Sequence, residues 1–184
     1  MTRKQIHVMT IGLLLANVMS GLDATIINTA LPAIIADLHG ISCMGLIVSV
    51  FLLGMSVSTL LWSKFGERMG NKKAFELAVV LFIVGSALEG LSPDILFFVC
   101  ARLLMGIGAG GLGSIPYIIF GNVYENLHTR SIILGFVSAV YGAASITGPL
   151  VGGLIVDSFS WHWIFYINVP IGLLIIAIIH FSYK

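Results

Sequence analysis

The chain has 184 residues, of which 58% are hydrophobic and only 9% are charged, and its formal net charge is +1. Ordinary soluble domains carry about 25% charged residues, so this composition excludes a soluble globular protein and indicates an integral membrane protein. The net charge gives no indication of a nucleic-acid partner, and we expect the lipid bilayer to be the main surroundings of the chain.

Six apolar segments follow one another, each near the ~20 residues that a membrane-spanning helix needs. Short breaks with turn-forming residues separate them, the first at Pro32 and His39-Gly40. Their continuous apolar character is unlike the alternating ~10-residue strands of a membrane barrel. The sequence therefore predicts an all-α membrane protein, with residues 1–184 forming a single six-helix transmembrane bundle. The expected helices are approximately 7–31, 42–62, 74–91, 94–120, 131–155 and 163–182.

Basic residues are concentrated at one end of these expected helices. If the six helices alternate in direction, every Lys and Arg outside a spanning segment falls on the side of the N-terminus. The opposite side carries acids instead, namely Asp37, Glu89, Asp94 and Asp157. This asymmetry predicts that both termini are cytoplasmic, in what we expect to be a bacterial plasma membrane. The basic residues concerned are Arg3, Lys4, Lys64, Arg68, Lys72, Lys73, Arg130 and Lys184.

Asp23 is an ionisable residue within the first apolar segment, which also holds the amide of Asn28. A charged side chain at the centre of a bilayer costs at least ~2.5–3.5 kcal/mol, so such an acid is a functional-site hypothesis with a partner to be found. Arg102 is the basic residue within a spanning segment, and the helical rise places it ~9 Å below the outer surface, close to the ~12 Å of Asp23. We expect the two to face one cavity; a static structural ion pair is the alternative.

Glycines are concentrated in the fourth and fifth segments. Small residues at helical spacings let helices approach closely in lipid, and a Gly-Pro step within a spanning helix bends it. The pattern therefore predicts close helix contacts or a hinge, with packing alone or a kink without a role as the alternatives. These glycines are Gly106, Gly108, Gly110, Gly111 and Gly113, then Gly135, Gly142, Gly148, Gly152 and Gly153.

No set of residues suggests an enzyme, a metal site or a cofactor. Cys43 and Cys100 lie in apolar surroundings, where a lone thiol behaves as a small hydrophobic side chain. The sequence also lacks a nucleophile and base at a recognisable spacing. We therefore expect no catalytic residue, no metal and no cofactor.

Five stretches together resemble a known family. They are GLDATIINTALPAI, SKFGERMGNKK, ARLLMGIGAG, the glycine-rich fifth segment and WHWIFYINVPIG, in that order between Gly21 and Gly172. These stretches are similar to the motifs of the drug:proton antiporters of the major facilitator superfamily, most closely the branch whose full-length members have fourteen helices. The second stretch resembles motif A, the third motif B and the fourth motif C. The resemblance implies the N-terminal six-helix half of such a transporter, built as two inverted three-helix repeats.

The resemblance also implies roles for individual residues. Asp23 would exchange a proton or meet a cationic drug, Arg102 would be linked to proton coupling, and Asn28 would share their cavity. The motif A residues would belong to a cytoplasmic latch between the two transporter halves, and the glycines of motifs B and C would shape helix packing. The latch residues are Glu67, Arg68, Gly70 and Lys72; the packing residues are Gly106, Gly108, Gly135, Gly148, Pro149, Gly152 and Gly153.

The function that this resemblance implies is proton-coupled export of small lipophilic or cationic compounds. Full-length members place the substrate site between two six-helix bundles, so we expect a second six-helix half or a second copy of the chain as partner. Two alternatives remain at this point. In the first, the chain is a truncated, inactive transporter fragment. In the second, it is a membrane partner that does not itself transport.

Overall fold

The computed structural model describes residues 3–183, so Lys184, counted above among the basic residues, lies outside the described part. Within that part the chain is helical and contains no strand. A short 3-10 turn, Ile41–Cys43, precedes the second helix. The helices are α1 (Arg3–Asp37), α2 (Met44–Met69), α3 (Asn71–Gly90), α4 (Ile95–Val123), α5 (Leu127–Ser158), α6 (Trp163–Tyr166) and α7 (Asn168–Ser182).

Five stretches of the described chain are long and apolar enough to cross a membrane. The four-residue α6 and the following α7 form one of them together, Trp163–Ser182. The 20-residue α3 carries Lys72, Lys73, Glu76 and Glu89 and completes the bundle as a sixth helix. The other four spans are Arg3–Asp37, Ile41–Met69, Ile95–Val123 and Leu127–Ser158.

Two of the expected breaks differ from the observed ones. The expected end of the first helix at Pro32 is wrong, because α1 continues through this proline to Asp37. A proline withholds only one backbone donor, and neighbouring helices can accommodate it within a spanning helix. Between α2 and α3 the expected break is reduced to Gly70, whose φ of 89° lies in the region that favours glycine.

The contacts between helices follow a two-fold pattern. α2 packs against α4 just as α5 packs against α1, and α3 packs against α4 just as α7 packs against α1. Exchanging α1 with α4, α2 with α5, and α3 with the combined α6 and α7 therefore maps one set of contacts onto the other. This is the arrangement of two inverted three-helix repeats. It places α1 and α4 in contact with each other at the centre of the bundle.

The core consists of two apolar clusters with a polar layer between them. Along α1, Met19 belongs to one cluster and Ile26 to the other, with Asp23 between them. Along α4, Val99 and Met105 likewise belong to different clusters, with Arg102 between them. The polar layer therefore lies where the two central helices pass each other.

Candidate functional site

Asp23 and Arg102 form a buried ion pair between the two central helices. Asp23 is 2% exposed and Arg102 is 1% exposed. The guanidinium Nη1 of Arg102 lies 3.5 Å from Asp23 Oδ2, which is long for a charge-assisted hydrogen bond. The structure thus brings together the two residues that were matched by depth, in a loose, single-atom contact.

Glu89 is the second acid of this cluster. Its Oε2 lies 3.3 Å from the same Nη1 of Arg102, and its side chain is fully buried. Glu89 does lie near the end of α3, as expected from its grouping with Asp37, Asp94 and Asp157, but it is buried whereas those three are exposed. Side chains of a helix tilt toward its N-terminus, so Arg102 on α4 reaches back toward the end of α3, where Glu89 is found. The available signal was an acid within the third apolar segment.

Asn168 and Ser86 complete the polar layer, and neither was selected from the sequence. Asn168 Nδ2 donates to Asp23 Oδ1 at 3.5 Å and to Ser86 Oγ at 3.0 Å. Ser86 Oγ in turn donates to the carbonyl of Phe165 at 2.8 Å. These bonds connect the acid on α1 to α3, to α7 and, through Phe165, to α6. The only sequence signal was an amide inside an apolar stretch.

Arg102 makes two further contacts. Its Cζ lies 4.1 Å from the ring centroid of Phe51, a cation–π distance, and its Nη1 lies 3.6 Å from the sulfur of Met105. Among residues 3–183, Arg102 Nε and Glu89 Oε1 are buried without a hydrogen-bond partner. The contacts of the guanidinium with Asp23, Glu89 and Met105 are therefore all made by one nitrogen, Nη1.

A cavity of about 210 Å³ lies between α1, α2, α4 and α5. Arg102, Asn28, Phe51 and Tyr141 are among the residues that line it. Arg102 and Asn28 therefore both face the cavity, whereas Asp23 is not among the lining residues. Asp23 contacts Arg102 away from the cavity, inside the bundle. Asn28 is exposed, which places an amide where the cavity is accessible.

The motif A residues lie around the turn between α2 and α3. Lys72 Nζ donates to the backbone carbonyl of His180 at 2.6 Å, near the end of α7. Glu67 and Arg68 are exposed, and neither makes an ion pair with any residue of the part that the structure describes. Gly70 provides the left-handed turn itself. Lys72 thus stabilises this bundle, whereas Glu67 and Arg68 remain accessible.

The motif B glycines are points of close helix contact. A Cβ at Gly106 would lie 2.5 Å from the carbonyl oxygen of Phe51 on α2. A Cβ at Gly108 would collide with the backbone nitrogen of Phe82 on α3. Since backbone atoms cannot rotate aside, these two positions allow α2 and α3 to pack directly onto α4.

The motif C residues fall into two groups. A Cβ at Gly148 would lie 3.1 Å from the carbonyl oxygen of Leu22, and one at Gly152 would lie 2.7 Å from the Ile26 side chain, both on α1. Gly153 has only an ordinary contact, and within the described chain Gly135 has no atom within 4 Å of an added Cβ. Pro149 lies inside the continuous α5. Gly148 and Gly152 therefore serve packing within this bundle, and Gly135 does not.

A family model described as Major Facilitator Superfamily matches residues 13–183. The chain belongs to this superfamily. It is 36% identical over 174 residues to "Multidrug resistance protein 3" of Bacillus subtilis (strain 168), covering 95% of this chain and 34% of that protein. It is 38% identical over 174 residues to "Efflux pump dotC" of Dothistroma septosporum, covering 95% of this chain and 30% of that protein. The chain thus spans about a third of the length of these relatives.

Solved structures share the fold. A crystal structure of a D-xylose-proton symporter superimposes with a TM-score of 0.82 at 20% identity, covering 95% of this chain and 48% of that one. The proton:xylose symporter XylE bound to 6-bromo-6-deoxy-D-glucose gives a TM-score of 0.84 at 18% identity, covering 98% of this chain and 45% of that one. At these identities the likeness establishes the fold, and this superfamily chain corresponds to about half of each structure.

Proposed function

We propose that this chain supplies half of a proton-coupled exporter of small lipophilic or cationic compounds. The observation that carries the proposal is the buried cluster of Asp23, Glu89 and Arg102, with Arg102 also lining a cavity that Asn28 makes accessible. Ionisable groups inside a bilayer are costly and mark ion or substrate pathways. The relatives named for multidrug resistance and efflux support export as the direction of transport.

Asp23 is the proton-exchanging acid in this proposal. Its contact with Arg102 is a single 3.5 Å approach rather than a paired, two-point one, so it is held weakly enough to be broken and re-formed. Asp23 is ionised while cargo is held and takes up a proton from outside when cargo is released. Arg102 pairs with ionised Asp23 and also lines the cavity. The protonation state of Asp23 is therefore coupled, through Arg102, to whether the cavity holds cargo.

A second six-helix unit covers the cavity. In the apolar stretches of α2 and α5 only 22% and 17% of the residues are buried, against 56% and 61% in α1 and α4. An accessible cavity containing an arginine and an amide would be unfavourable against lipid, so a protein face is its expected cover. The solved structures, about half of which this chain matches, support a homologous half or a second copy in that place.

The proposed orientation has both termini in the cytoplasm of a bacterial plasma membrane. It rests on the basic residues at one end of the bundle. Glu67 and Arg68, exposed at that end without an ion pair among residues 3–183, are then available to the second half as a latch. Alternating access follows, with the latch holding one of the two states.

The experiment is efflux of ethidium, a lipophilic cation, from bacteria that lack their own exporters. The chain is expressed alone and as a tandem fusion of two copies, and a protonophore tests dependence on the proton gradient. We expect Asp23→Asn to abolish efflux. The matched control is Asp157→Asn, an exposed acid of α5, which should leave efflux within two-fold of the parent, an estimate for a surface change. Efflux that survives Asp23→Asn would contradict the proposal, as would its absence in both wild-type forms.

A further inference from the structure

Glu89 is a buried acid to which the proposed mechanism gives no role of its own. It is fully buried, contacts Arg102 at 3.3 Å, and keeps its second oxygen, Oε1, without a partner in the part of the chain that the structure describes. An unpaired carboxylate oxygen in an apolar interior is unfavourable. The position therefore needs a physical account beyond helix packing.

The charges of the cluster do not balance if both acids are ionised. Arg102 supplies one positive charge, while Asp23 and Glu89 would supply two negative ones. The charged groups of the described helices that touch this layer are these three, and the neighbouring Asn168 and Ser86 are neutral. An uncompensated charge at a site this buried is strongly unfavourable. One proton held by the two acids makes the cluster neutral.

We propose that Asp23 and Glu89 share one proton, and that Arg102 pairs with whichever of the two is ionised. The two acids approach the same nitrogen, at 3.5 Å and 3.3 Å, so neither is committed to it by a better geometry. Glu89 is thus the second proton-carrying residue of the site. This inference rests on the proposed role of Asp23 and names the residue that receives its proton.

The exchange conserves atoms and charge. The O–H bond of protonated Asp23 breaks, an O–H bond forms on the ionised Glu89, and the guanidinium changes partner without losing a proton. The cluster carries no net charge before or after the step. Asp23 therefore becomes ionised without leaving an unbalanced charge in the core. A single acid beside Arg102 could not do this, because the net charge of the pair would change each time the acid gained or lost its proton.

Infrared spectroscopy of the purified chain in lipid nanodiscs measures this proton directly, through the carbonyl stretch of a protonated carboxylic acid and its shift in deuterated buffer. At pH 7 we expect the wild type to show one such group per chain. Glu89→Gln and Asp23→Asn should each reduce the band to background, because the remaining acid then pairs with Arg102. Arg102→Gln should double the band, because both acids are then neutral.

Glu76→Gln is the matched control, the same substitution on the same helix at a partly exposed acid that contacts His180; it should keep the full band. A full band in Glu89→Gln would show the proton on Asp23 alone and overturn the proposal. A full band in Asp23→Asn, or none in the wild type, would overturn it as well. If Glu89→Gln does not fold, the wild type grown with aspartate labelled with carbon-13 at its carboxyl group still decides. A shared proton gives one band shifted by the label and one unshifted band, whereas a single band of either kind overturns the proposal.

The readout does not depend on transport. A chain that shows this band pattern but exports no ethidium refutes the proposed function and leaves the shared proton standing. A chain that exports ethidium through Asp23 but keeps the full band in Glu89→Gln refutes only the shared proton.

Discussion

Arg102 Nη1 lies 3.3 Å from Glu89 Oε2, across the contact between α3 and α4. The same nitrogen is 3.5 Å from Asp23 on α1, so a single guanidinium connects three helices inside the bundle. The connection includes the contact between α1 and α4, the two helices that the two-fold pattern of contacts exchanges. The site and the architecture therefore depend on the same residue.

Arg102→Leu should destabilise the bundle by roughly 3–5 kcal/mol, because it leaves buried carboxyl groups without their cation. Unfolding of the detergent-solubilised protein, followed by circular dichroism during titration with dodecyl sulfate, measures the loss. The triple variant Arg102→Leu, Asp23→Asn, Glu89→Gln should recover most of it, since no ionisable group then remains in the layer. Equal stability of Arg102→Leu and the wild type would contradict the assigned contacts.

Gly106→Ala should cost about 1–3 kcal/mol, the usual range for overpacking a tight contact. The added methyl would lie 2.5 Å from the backbone oxygen of Phe51, so α2 and α4 must separate. The matched control on the same helix is Gly113→Ala, where an added Cβ meets nothing within 4 Å; alanine there should be neutral or stabilising by up to about 1 kcal/mol. Thermal unfolding in detergent compares the two, and identical shifts would refute the close contact.

Gly148→Ala and Gly135→Ala should separate packing from other roles within motif C. The added methyl at Gly148 would press on the side chain of Thr25 and the backbone of Leu22, so melting should occur at a lower temperature, whereas Gly135 is open. If Gly135→Ala impairs ethidium efflux at unchanged stability, its contribution lies outside this bundle. A lower melting temperature for Gly135→Ala would count against the open environment described for it.

Lys72→Met should loosen the last turn of α7. The ammonium of Lys72 donates a hydrogen bond to the carbonyl of His180, near the C-terminal end of α7. A cation there also interacts favourably with the helix dipole, so the variant should lose about 0.3–1 kcal/mol of stability. Hydrogen–deuterium exchange, read by mass spectrometry on a peptide over residues 176–183, should be faster in this region and unchanged in α1. Lys73→Met, at an exposed neighbour, serves as the control; equal exchange in both variants would argue against the bond.

Much of the fold followed from the sequence, because six apolar runs of spanning length with basic residues at alternate breaks permit few arrangements. The helix ends were less accurate. Hydropathy records where a helix leaves the apolar layer, whereas the backbone hydrogen bonds of α1 continue through Pro32 to Asp37. The structure also brings Asp23 close to Arg102, as their matched depths in the sequence suggested.

Glu89 and Asn168 could not be placed in the same way. Both lie near helix ends, where a polar residue ordinarily faces water or headgroups, and their burial depends on how α3, α6 and α7 pack against the central helices. Helical rise gives the depth of a Cα atom but not the direction of a long side chain. Arg102 reaches Glu89 through that direction, which only the assembled bundle reveals.

The two unpaired atoms of the site, Arg102 Nε and Glu89 Oε1, belong to residues already 3.3 Å apart. One is a donor without an acceptor and the other an acceptor without a donor. The two-point fork, the strongest geometry open to an arginine and a carboxylate, pairs Nε with Nη2 or Nη1 with Nη2, so the present contact at Nη1 cannot take in Nε as its second point. Glu89 is therefore held at one oxygen only, and no second bond fixes the orientation of its carboxyl group in the part of the chain that the structure describes.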